Sequence, residues 1–320
     1  MYNLKGKNVL VTGGAGFVGS NVVKALVEKH GAKVTVLDDL FSGSLQHLKN
    51  VDIEFVEGSV ENADLVNDII RGKEVVFHLA ARNIIVSNKN PREDLAVNVV
   101  GSFNVFDASL KHNVDRVVYT STSSIYGNTA QLPIAEDDKK SFLSFYSASK
   151  FSAEVYARAF YEVFDLPVSI VRYSNAYGYN QSPANPYCGV IGKFIESAFK
   201  NEPLRIHGDG EQTRDFTFID DAVNATIAAA IYTKAIGNEY NIGTGIETSV
   251  NRLAEMIVEM TECRSEIIHI DRRDIDNIRR RVVNIERTRH DLRYQPFVTM
   301  KQGLELTIKW YKEFVLVSSL

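Results

Sequence analysis

A tyrosine and a lysine four residues apart could carry acid–base chemistry in this chain. Tyr146 and Lys150 lie in "FYSASKFSAEVYARAF", whose apolar spacing predicts an amphipathic helix with both side chains on one face. A buried ammonium beside a phenol favours the phenolate and moves the tyrosine pKa from about 10 toward neutrality. Such a tyrosine can serve as base and then acid for a substrate hydroxyl. An isolated pair with this spacing is also common on solvated helix faces.

A cluster of hydroxyl side chains precedes this pair. The stretch "TSTSSIYG", residues 120–127, ends the predicted strand "DRVVYTST" and contains Thr122, Ser123 and Ser124. Hydroxyls can hydrogen-bond a substrate oxygen, but they are not the acids and bases that carboxylates are. The position of this cluster at a strand end strengthens the catalytic interpretation of Tyr146 and Lys150.

A glycine-rich loop near the N-terminus predicts a dinucleotide site. The strand "NVLVT" runs into "GGAGFVG" and then into a helix. Glycines there permit a tight turn, close approach of the backbone to a pyrophosphate, and packing of the helix on the strand. A glycine-rich turn without a ligand is the alternative. The residues that we assign to the cofactor in this loop are Gly13, Gly16, Phe17, Val18 and Gly19.

An acidic residue ends the second predicted strand, about twenty residues beyond the loop, where an acid binds the adenosine ribose. This residue is Asp38, in "KVTVLDD". A carboxylate at this point repels a 2′-phosphate, so we expect NAD rather than NADP as the cofactor. Asp39 beside it adds only slightly to this preference.

Strands and helices alternate through the first half of the chain. Strand-like apolar runs include "IEFVEG", "EVVFHLAA" and "PVSIVRY", and helical segments such as "SNVVKALVEKH" separate the strands. This order predicts an α/β fold with a doubly wound parallel sheet. We expect an NAD-binding Rossmann domain over residues 1–173. A smaller, interleaved C-terminal substrate-binding lobe is predicted over 174–320, with a helix near 218–232 returning to the sheet.

The composition excludes several classes of function. The chain has 320 residues, is 45% hydrophobic and carries a net charge of −4, so it has no basic field to attract nucleic acid. No apolar run reaches the ~18 residues that span a bilayer, and the N-terminus lacks the pattern of a signal peptide. Cys188 and Cys263 form neither a metal spacing nor a disulfide framework. We therefore expect a cytoplasmic protein without a metal site.

Further motifs follow in order along the chain: "VTGGAGFVGS", "VFHLAA", "NVVGSFNVFDA", "TSTSSIYG", "YSASK", "RYSNAYG", "HGDGEQTRDFTFIDD" and "YNIGTG". In these motifs the chain resembles the extended short-chain dehydrogenases/reductases that act on sugar nucleotides as epimerases, dehydratases and decarboxylases. The resemblance covers nearly the whole length. It implies the catalytic set Thr122, Tyr146 and Lys150, with NAD as cofactor. The charge of the nicotinamide ring would then add to the activation of the tyrosine.

The resemblance also assigns residues around the cofactor. Ala80 and Ala81 would line it, and Asn98 matches the structural asparagine of the family. Ser59, followed by Val60, stands where the family usually has an acid near the adenine. A hydroxyl at this position can still hydrogen-bond.

On the substrate side, the resemblance points to polar residues from the second half of the chain. Asn175 matches the asparagine of "RYxNxYG", and Arg214 matches the arginine of "RDF", which reaches the nucleotide diphosphate. The family places another diphosphate-binding arginine within "DRRDIDNIRRRVVNIERTR", and we predict Arg279 or Arg281 for it. The interspersed acids favour a solvated, salt-bridged face for the other arginines over a nucleic-acid patch.

The hydroxyl cluster then distinguishes among the reactions of the family. Its members remove the proton of the sugar 4-hydroxyl and the C4 hydride, giving a 4-keto sugar. The resemblance implies an Asp-Glu pair after the threonine in 4,6-dehydratases and Thr-Ser-Glu in UDP-glucuronate decarboxylases. Here Ser123 and Ser124 follow Thr122, so the agent for proton abstraction at C5 is missing. We predict a UDP-sugar C4 epimerase, of the UDP-glucose/galactose or UDP-N-acetylglucosamine/galactosamine type.

Alternatives remain open. An acid from another part of the chain could support a dehydratase, and "DIDNIRRR" resembles the decarboxylase form "DDPxxRR", so a UDP-glucuronate-processing 4-epimerase or decarboxylase is the second candidate. Arg82, where related epimerases carry glutamine or a small residue, is assigned to a substrate carboxylate. A position along the cofactor rim or in a dimer surface is the alternative for Arg82.

Two further expectations concern a role without catalysis and the oligomeric state. A role as a non-catalytic, NAD-binding sensor is less well supported, because the catalytic residues are intact. A homodimer is expected, since members of the group commonly dimerise through the helix that carries the tyrosine and lysine, and "SAEVYARAFYEVF" is apolar enough for this contact.

Overall fold

The structure is a computed structural model that describes residues 1–181, 189–272 and 278–316. Cys188 and part of the arginine-rich stretch lie outside the described residues. The strands are β1 (Asn8–Thr12), β2 (Lys33–Asp38), β3 (Ile53–Glu57), β4 (Val75–His78), β5 (Arg116–Thr122), β6 (Val168–Tyr173), β7 (Asn175–Tyr177), β8 (Leu204–His207), β9 (Thr213–Arg214), β10 (Phe216–Phe218), β11 (Glu239–Ile242), β12 (Thr248–Ser249) and β13 (Ile267–Ile270).

The α-helices are α1 (Phe17–Glu28), α2 (Ala63–Ile70), α3 (Ile84–Lys89), α4 (Pro91–Asp94), α5 (Ser102–Lys111), α6 (Phe145–Phe164), α7 (Val190–Phe199), α8 (Ile219–Ile231), α9 (Val250–Thr261), α10 (Glu286–Leu292) and α11 (Met300–Trp310). Short 3-10 helices cover Leu45–Leu48, Ser123–Tyr126 and Thr233–Ala235, and π-helical turns cover Leu95–Gly101 and Tyr311–Leu316. Among the described helices, none is long and apolar enough to cross a bilayer.

Seven parallel strands form the central sheet, in the order β11-β6-β5-β4-β1-β2-β3. The register pairs Val11 of β1 with Val36 of β2 on one side and with Phe77 of β4 on the other. The direction of winding reverses between β1 and β4, which opens a crevice at the carboxyl ends of these strands. The predicted doubly wound α/β fold is confirmed.

Helices cover both faces of this sheet, and alternate residues of each strand face opposite ways. In β1, Val9 and Val11 pack in the core that α1 and α8 share, whereas Leu10 belongs to the core beneath α2, α5 and α6. This burial on both faces explains why the strands are continuously apolar.

The second half of the chain contributes to two regions. Its strands β7 and β10 pair in parallel, as do β8 and β13, and β9 pairs antiparallel with β12. However, β11 joins the central sheet beside β6, and α8 packs against α1. The division into domains at 173/174 stays a prediction.

Candidate active site

The glycine-rich loop connects β1 to α1 with a backbone that side chains would obstruct. Gly13 has φ +69°, and a Cβ there would lie 2.6 Å from the amide nitrogen of Ala80. A Cβ on Gly19 would overlap the carbonyl oxygen of Gly13. Gly16 begins α1 without a side-chain cap. This loop therefore packs tightly on the sheet and leaves the positive end of the helix dipole uncapped by any side chain.

Asp38 ends β2 beside this loop. Its Oδ2 accepts a hydrogen bond from the Ala15 amide at 2.9 Å, and its Oδ1 accepts one from the Leu40 amide at 2.8 Å. Burial raises the pKa of the carboxyl group above its usual value, and the two amide donors oppose that rise. The geometry holds a carboxylate rigidly next to the glycine-rich loop.

One cavity gathers the residues that the sequence assigned to the cofactor, with Asn98 behind its wall. Those lining the cavity are Gly13, Gly16, Phe17, Val18, Gly19, Asp38, Ser59, Val60, Ala80, Ala81, Tyr146 and Lys150. The Ser59 hydroxyl is turned to the carboxylate of Glu61, to which it donates at 3.0 Å. The cavity therefore runs from the end of β3, past β1 and β4, to the start of α6.

Asn98 lies fully buried in the π-helical turn and supports the loop after β4. Its Oδ1 accepts from the backbone amide of Arg82 at 2.7 Å, and its Nδ2 donates to the carbonyl of Arg82 at 3.1 Å. Nδ2 also donates to Asp94 Oδ1 at 2.7 Å. This carboxylate accepts a further bond from the hydroxyl of Ser149, at 2.9 Å. The side chains of Asn98 and Asp94 thus connect the loop after β4 to α6.

Sequence reasoning missed Asp94, Ser149 and Ser121. Asp94 precedes Asn98 by four residues, a helical spacing that places both on one face, and this is the signal that could have identified it. Ser121 lines the cavity with a buried hydroxyl oxygen that has no partner among the described residues. Nothing in its local sequence distinguishes it from the neighbouring hydroxyls.

Tyr146 and Lys150 both reach the cavity from the first turns of α6. Burial raises the pKa of the Tyr146 phenol to about 12, and the side chain of Thr122, at the end of β5, opposes that rise. The Lys150 amine is buried, with Nζ 4.3 Å from the centroid of the Tyr119 ring, and burial lowers its pKa to about 7. Tyr146 is therefore held as a neutral phenol by the protein groups, which differs from the activation expected from Lys150.

The hydroxyl cluster turns sharply after β5. Thr122 Oγ1 accepts from the backbone amide of Ser124 at 3.1 Å, and Ser123 is buried. Among the described residues that line the cavity, the carboxylates are Asp38 and Asp39, at the end remote from Tyr146 in the sheet order. The catalytic end is lined by the hydroxyls of Thr120 and Ser121, the amine of Lys150, and the phenols of Tyr146 and Tyr173. The predicted residues Thr122, Ser123 and Ser124 follow directly in the chain but are not among the residues that line the cavity.

Arg82 is held by two carboxylates and an aromatic ring. Its guanidinium donates to Asp39 Oδ2 at 2.7 Å and to Glu93 Oε1 at 2.6 Å, and it stacks over the ring of Phe41. Two carboxylates therefore already compensate its charge, one from Asp39, directly after β2, and one from Glu93, in α4. Arg82 lines the cofactor cavity, and its assignment to a substrate carboxylate stays a prediction.

The residues assigned to the substrate come from neighbouring strands of the second half. Asn175 pairs with Phe216, two residues after Arg214, and the Asn175 Oδ1 is buried without a partner in the described part of the chain. Arg214 donates from Nη1 to the carbonyl of Ile278 at 2.8 Å, which places the segment 278–281 beside it. Arg281 is buried there, whereas Arg279 is exposed and pairs with Asp209 at 2.7 Å.

These features fit a dinucleotide. The glycine-rich loop leaves room that any Cβ would fill, Asp38 offers acceptor oxygens, and Ser121 offers a buried hydroxyl. The loop and the uncapped start of α1 would hold the pyrophosphate, and Asp38 the adenosine ribose. Tyr146 and Lys150 lie at the opposite end, where the nicotinamide would lie.

Comparisons with known proteins agree with this geometry. Residues 9–243 match the model of the NAD dependent epimerase/dehydratase family. A UDP-glucose 4-epimerase of Mycolicibacterium smegmatis is 35% identical over 95% of this chain and 98% of its own length. A UDP-N-acetyl-alpha-D-glucosaminuronate decarboxylase of Bacillus cytotoxicus is 33% identical over 96% and 98%. The solved structure of an epimerase of Methanothermobacter thermautotrophicus superposes with a TM-score of 0.95 at 35% identity, covering 99% of this chain and 95% of that one.

The cofactor of this protein is NAD, and the two enzymes from Mycolicibacterium smegmatis and Bacillus cytotoxicus are named for UDP-sugars. This chain is therefore an enzyme that belongs to the NAD dependent epimerase/dehydratase family.

Proposed function

We propose that this enzyme is a UDP-sugar 4-epimerase that works through a transient 4-keto sugar. The observation that carries the proposal is the hydroxyl-lined catalytic end of the cavity. Elimination or decarboxylation requires a group that acts at C5 of the sugar. Epimerisation requires only removal of the 4-hydroxyl proton and of the C4 hydride, which NAD accepts, reorientation of the keto sugar, and return of the hydride to its other face with a proton to the oxygen.

Tyr146 is the base and then the acid for the sugar 4-hydroxyl. NAD, when bound, supplies the hydride acceptor for C4. Thr122 hydrogen-bonds the same sugar oxygen, because its side chain interacts with the Tyr146 phenol and lowers the pKa of that phenol. Lys150 supplies positive charge beneath the site when protonated. The rise in the Tyr146 pKa caused by burial makes an added positive charge necessary, and the nicotinamide carries one.

Arg214 and Arg281 bind the diphosphate of the nucleotide. Both lie at the junction of β9 with the segment 278–281, and arginine forms bidentate hydrogen bonds with phosphate. Asn175, next to this junction, offers its buried Oδ1 to the substrate. Ser123 and Ser124 contact the sugar. Arg279 is the weaker candidate for the diphosphate, since Asp209 already binds its guanidinium on the exposed surface.

A UDP-glucuronate-processing enzyme is the second candidate function. The similarity to the decarboxylase of Bacillus cytotoxicus extends over nearly all of this chain, and the run Arg279, Arg280 and Arg281 resembles the decarboxylase pattern. The lining of the catalytic end by hydroxyls favours the epimerase.

One experiment separates these reactions. The purified enzyme is incubated with NAD and, separately, with UDP-glucose, UDP-N-acetylglucosamine and UDP-glucuronate, and the products are analysed by mass spectrometry and proton NMR. An unchanged mass with inversion of the H4 coupling pattern is expected for one sugar or more. Loss of carbon dioxide or water would overturn the epimerase. Loss of water would require a base at C5, and loss of carbon dioxide would require a proton donor there.

We infer a homodimer from the outer face of α6 and its neighbour. Val155 and Tyr156 of α6 are 54% and 45% exposed, and Phe103 of α5, in ring contact with Tyr156, is 40% exposed. Exposed apolar side chains clustered in this way mark an interaction surface. Size-exclusion chromatography with light scattering should give twice the 35.8 kDa chain mass. Tyr156→Glu should give the monomer.

A further inference from the structure

The charged cluster at the adenosine end of the cavity has no role in the proposed reaction. Arg82 is 8% exposed. Its Nη2 and Nε donate to Asp39 and to Glu93 at 2.7 and 2.6 Å, and the ring centroid of Phe41 lies 4.0 Å from its guanidinium carbon. Residues of the loop after β2 and of the helix α4 thus contact the same arginine side chain.

This cluster is anchored beside the ribose-binding carboxylate. Asp38, Asp39 and Arg82 line the same cavity. The backbone amide and carbonyl of Arg82 are both hydrogen-bonded to Asn98, so its main chain is fixed as firmly as its guanidinium. Arg82 therefore holds a defined position next to the place where the adenosine ribose would lie.

An arginine beside the adenosine ribose commonly favours NADP over NAD, because its guanidinium can bind the 2′-phosphate. A guanidinium forms a planar fork that binds phosphate oxygens in pairs, and an arginine near the ribose accommodates the 2′-phosphate in NADP-binding sites. Here Asp39 and Glu93 occupy the fork instead. With Asp38, the cluster has three carboxylates and one guanidinium, so its net charge opposes a phosphate.

We propose that Arg82 is a cofactor-specificity residue, which Asp39 and Glu93 hold in ion pairs and thereby withhold from the 2′-phosphate of NADP. Exclusion of NADP then depends on this cluster as well as on Asp38. Asp39 does more than add negative charge, because it masks a phosphate receptor that is already assembled. The inference rests on the proposed assignment of Asp38 and this cavity to the adenosine ribose.

Isothermal titration of the full chain with NAD⁺ and NADP⁺ tests the proposal without any measurement of turnover. The variants are Asp39→Asn, which keeps the shape and removes the charge, and Asp39→Asn combined with Arg82→Gln. Asp39→Asn should strengthen NADP⁺ binding about tenfold or more, since a freed guanidinium gains a charge-assisted phosphate contact. Its NAD⁺ affinity should stay within about threefold. The added Arg82→Gln should abolish the gain.

Each contrary result has a distinct meaning. A gain that persists in the double variant shows mere relief of repulsion and overturns the role of Arg82. Unaltered NADP⁺ binding in Asp39→Asn, with NAD⁺ binding intact, also overturns it. Failure of the wild-type chain to bind NAD⁺ would instead refute the proposed ribose site. Thermal unfolding is recorded for every variant, and if the double variant does not fold, Arg82→Lys replaces Arg82→Gln, with the gain expected to fall because lysine lacks the fork.

Discussion

The side chains of Tyr146 and Thr122 interact at the carboxyl edge of the sheet, and Thr122 lowers the pKa of the phenol against the larger, opposite effect of burial. Thr122 is the last residue of β5, and Tyr146 is the second residue of α6. A substrate hydroxyl placed between the two would meet a proton acceptor and a hydrogen-bonding partner at the same point.

Replacement of Tyr146 by phenylalanine should abolish turnover and leave cofactor binding intact. The phenol is the proposed base and acid, and a positioned group of this kind contributes about 10²–10⁴-fold to the rate. We expect kcat to fall by that amount, with the Kd for NAD within about threefold of the wild type, measured by NMR assay and titration calorimetry. Tyr156→Phe, on the exposed side of the same helix, is the matched control and should keep full activity. Full activity in Tyr146→Phe would refute the catalytic assignment.

Removal of the Asp94 carboxylate should cost both stability and activity. Its Oδ1 accepts hydrogen bonds from Ser87, Asn98 and Ser149, and Asp94→Ala would leave these buried donors without their acceptor. An unsatisfied buried donor costs about 1–3 kcal/mol, so the free energy of unfolding in urea should fall by at least about 2 kcal/mol.

Activity should fall in the same variant because Ser149 adjoins Lys150 on α6. Asp94→Asn, which retains an acceptor oxygen, should recover part of both losses. Asp107→Ala, at an exposed ion pair with Lys111, is the control and should change stability by less than about 0.5 kcal/mol. Equal stability of Asp94→Ala and this control would contradict the supporting role of Asp94.

Replacement of only one partner of the ion pair between Arg172 and Glu154 should strongly lower the free energy of unfolding. Both side chains are 3% exposed, and Arg172 Nη2 lies 2.7 Å from Glu154 Oε2. Removal of one partner leaves the other charge buried, which costs about 3–5 kcal/mol. Arg172→Met and Glu154→Leu should each lower the free energy of unfolding by about that amount, and the double variant by less than the sum. Additive losses in urea denaturation would show that the two charges are not coupled.

Acidification should destabilise the fold through His78 in β4. Its two ring nitrogens are hydrogen-bonded to Thr12 and Ser102, at 2.7 and 2.9 Å, and burial lowers its pKa to about 3. The unfolded chain takes up this proton near pH 6.5, but the folded chain takes it up only near pH 3. Between these values the unfolded state binds more protons, so stability is present above pH 6.5 and is lost as the pH falls.

The expected loss from His78 is about 1.4 kcal/mol at pH 5.5 relative to pH 7.5. Urea denaturation at the two pH values measures it. His78→Gln should lower the overall stability but show a smaller loss on acidification, and His290→Gln, at an exposed histidine, should retain the wild-type loss. An identical pH dependence in His78→Gln would exclude this origin.

Local chemistry made the cofactor end and the catalytic residues predictable from sequence. The turn after β1 itself requires the glycines of that loop, and Asp38 is recognised by its position at the end of the second strand. The spacing of Tyr146 and Lys150 matches the helical period, which places both on one face. Each of these features depends on residues near one another in the chain. The alternation of apolar runs likewise determined the parallel sheet, because strands buried on both faces must be continuously apolar.

Only the tertiary structure decided the partners and charge states of these residues. The sequence does not show which partners the arginine after "HLAA" has, and the structure pairs it with Asp39 and Glu93 at the wall of the cofactor cavity. Burial, which depends on packing by distant segments, makes Tyr146 a weaker acid and Lys150 a weaker base. Sequence spacing defines which residues share an element, but desolvation and ion pairing depend on which elements meet.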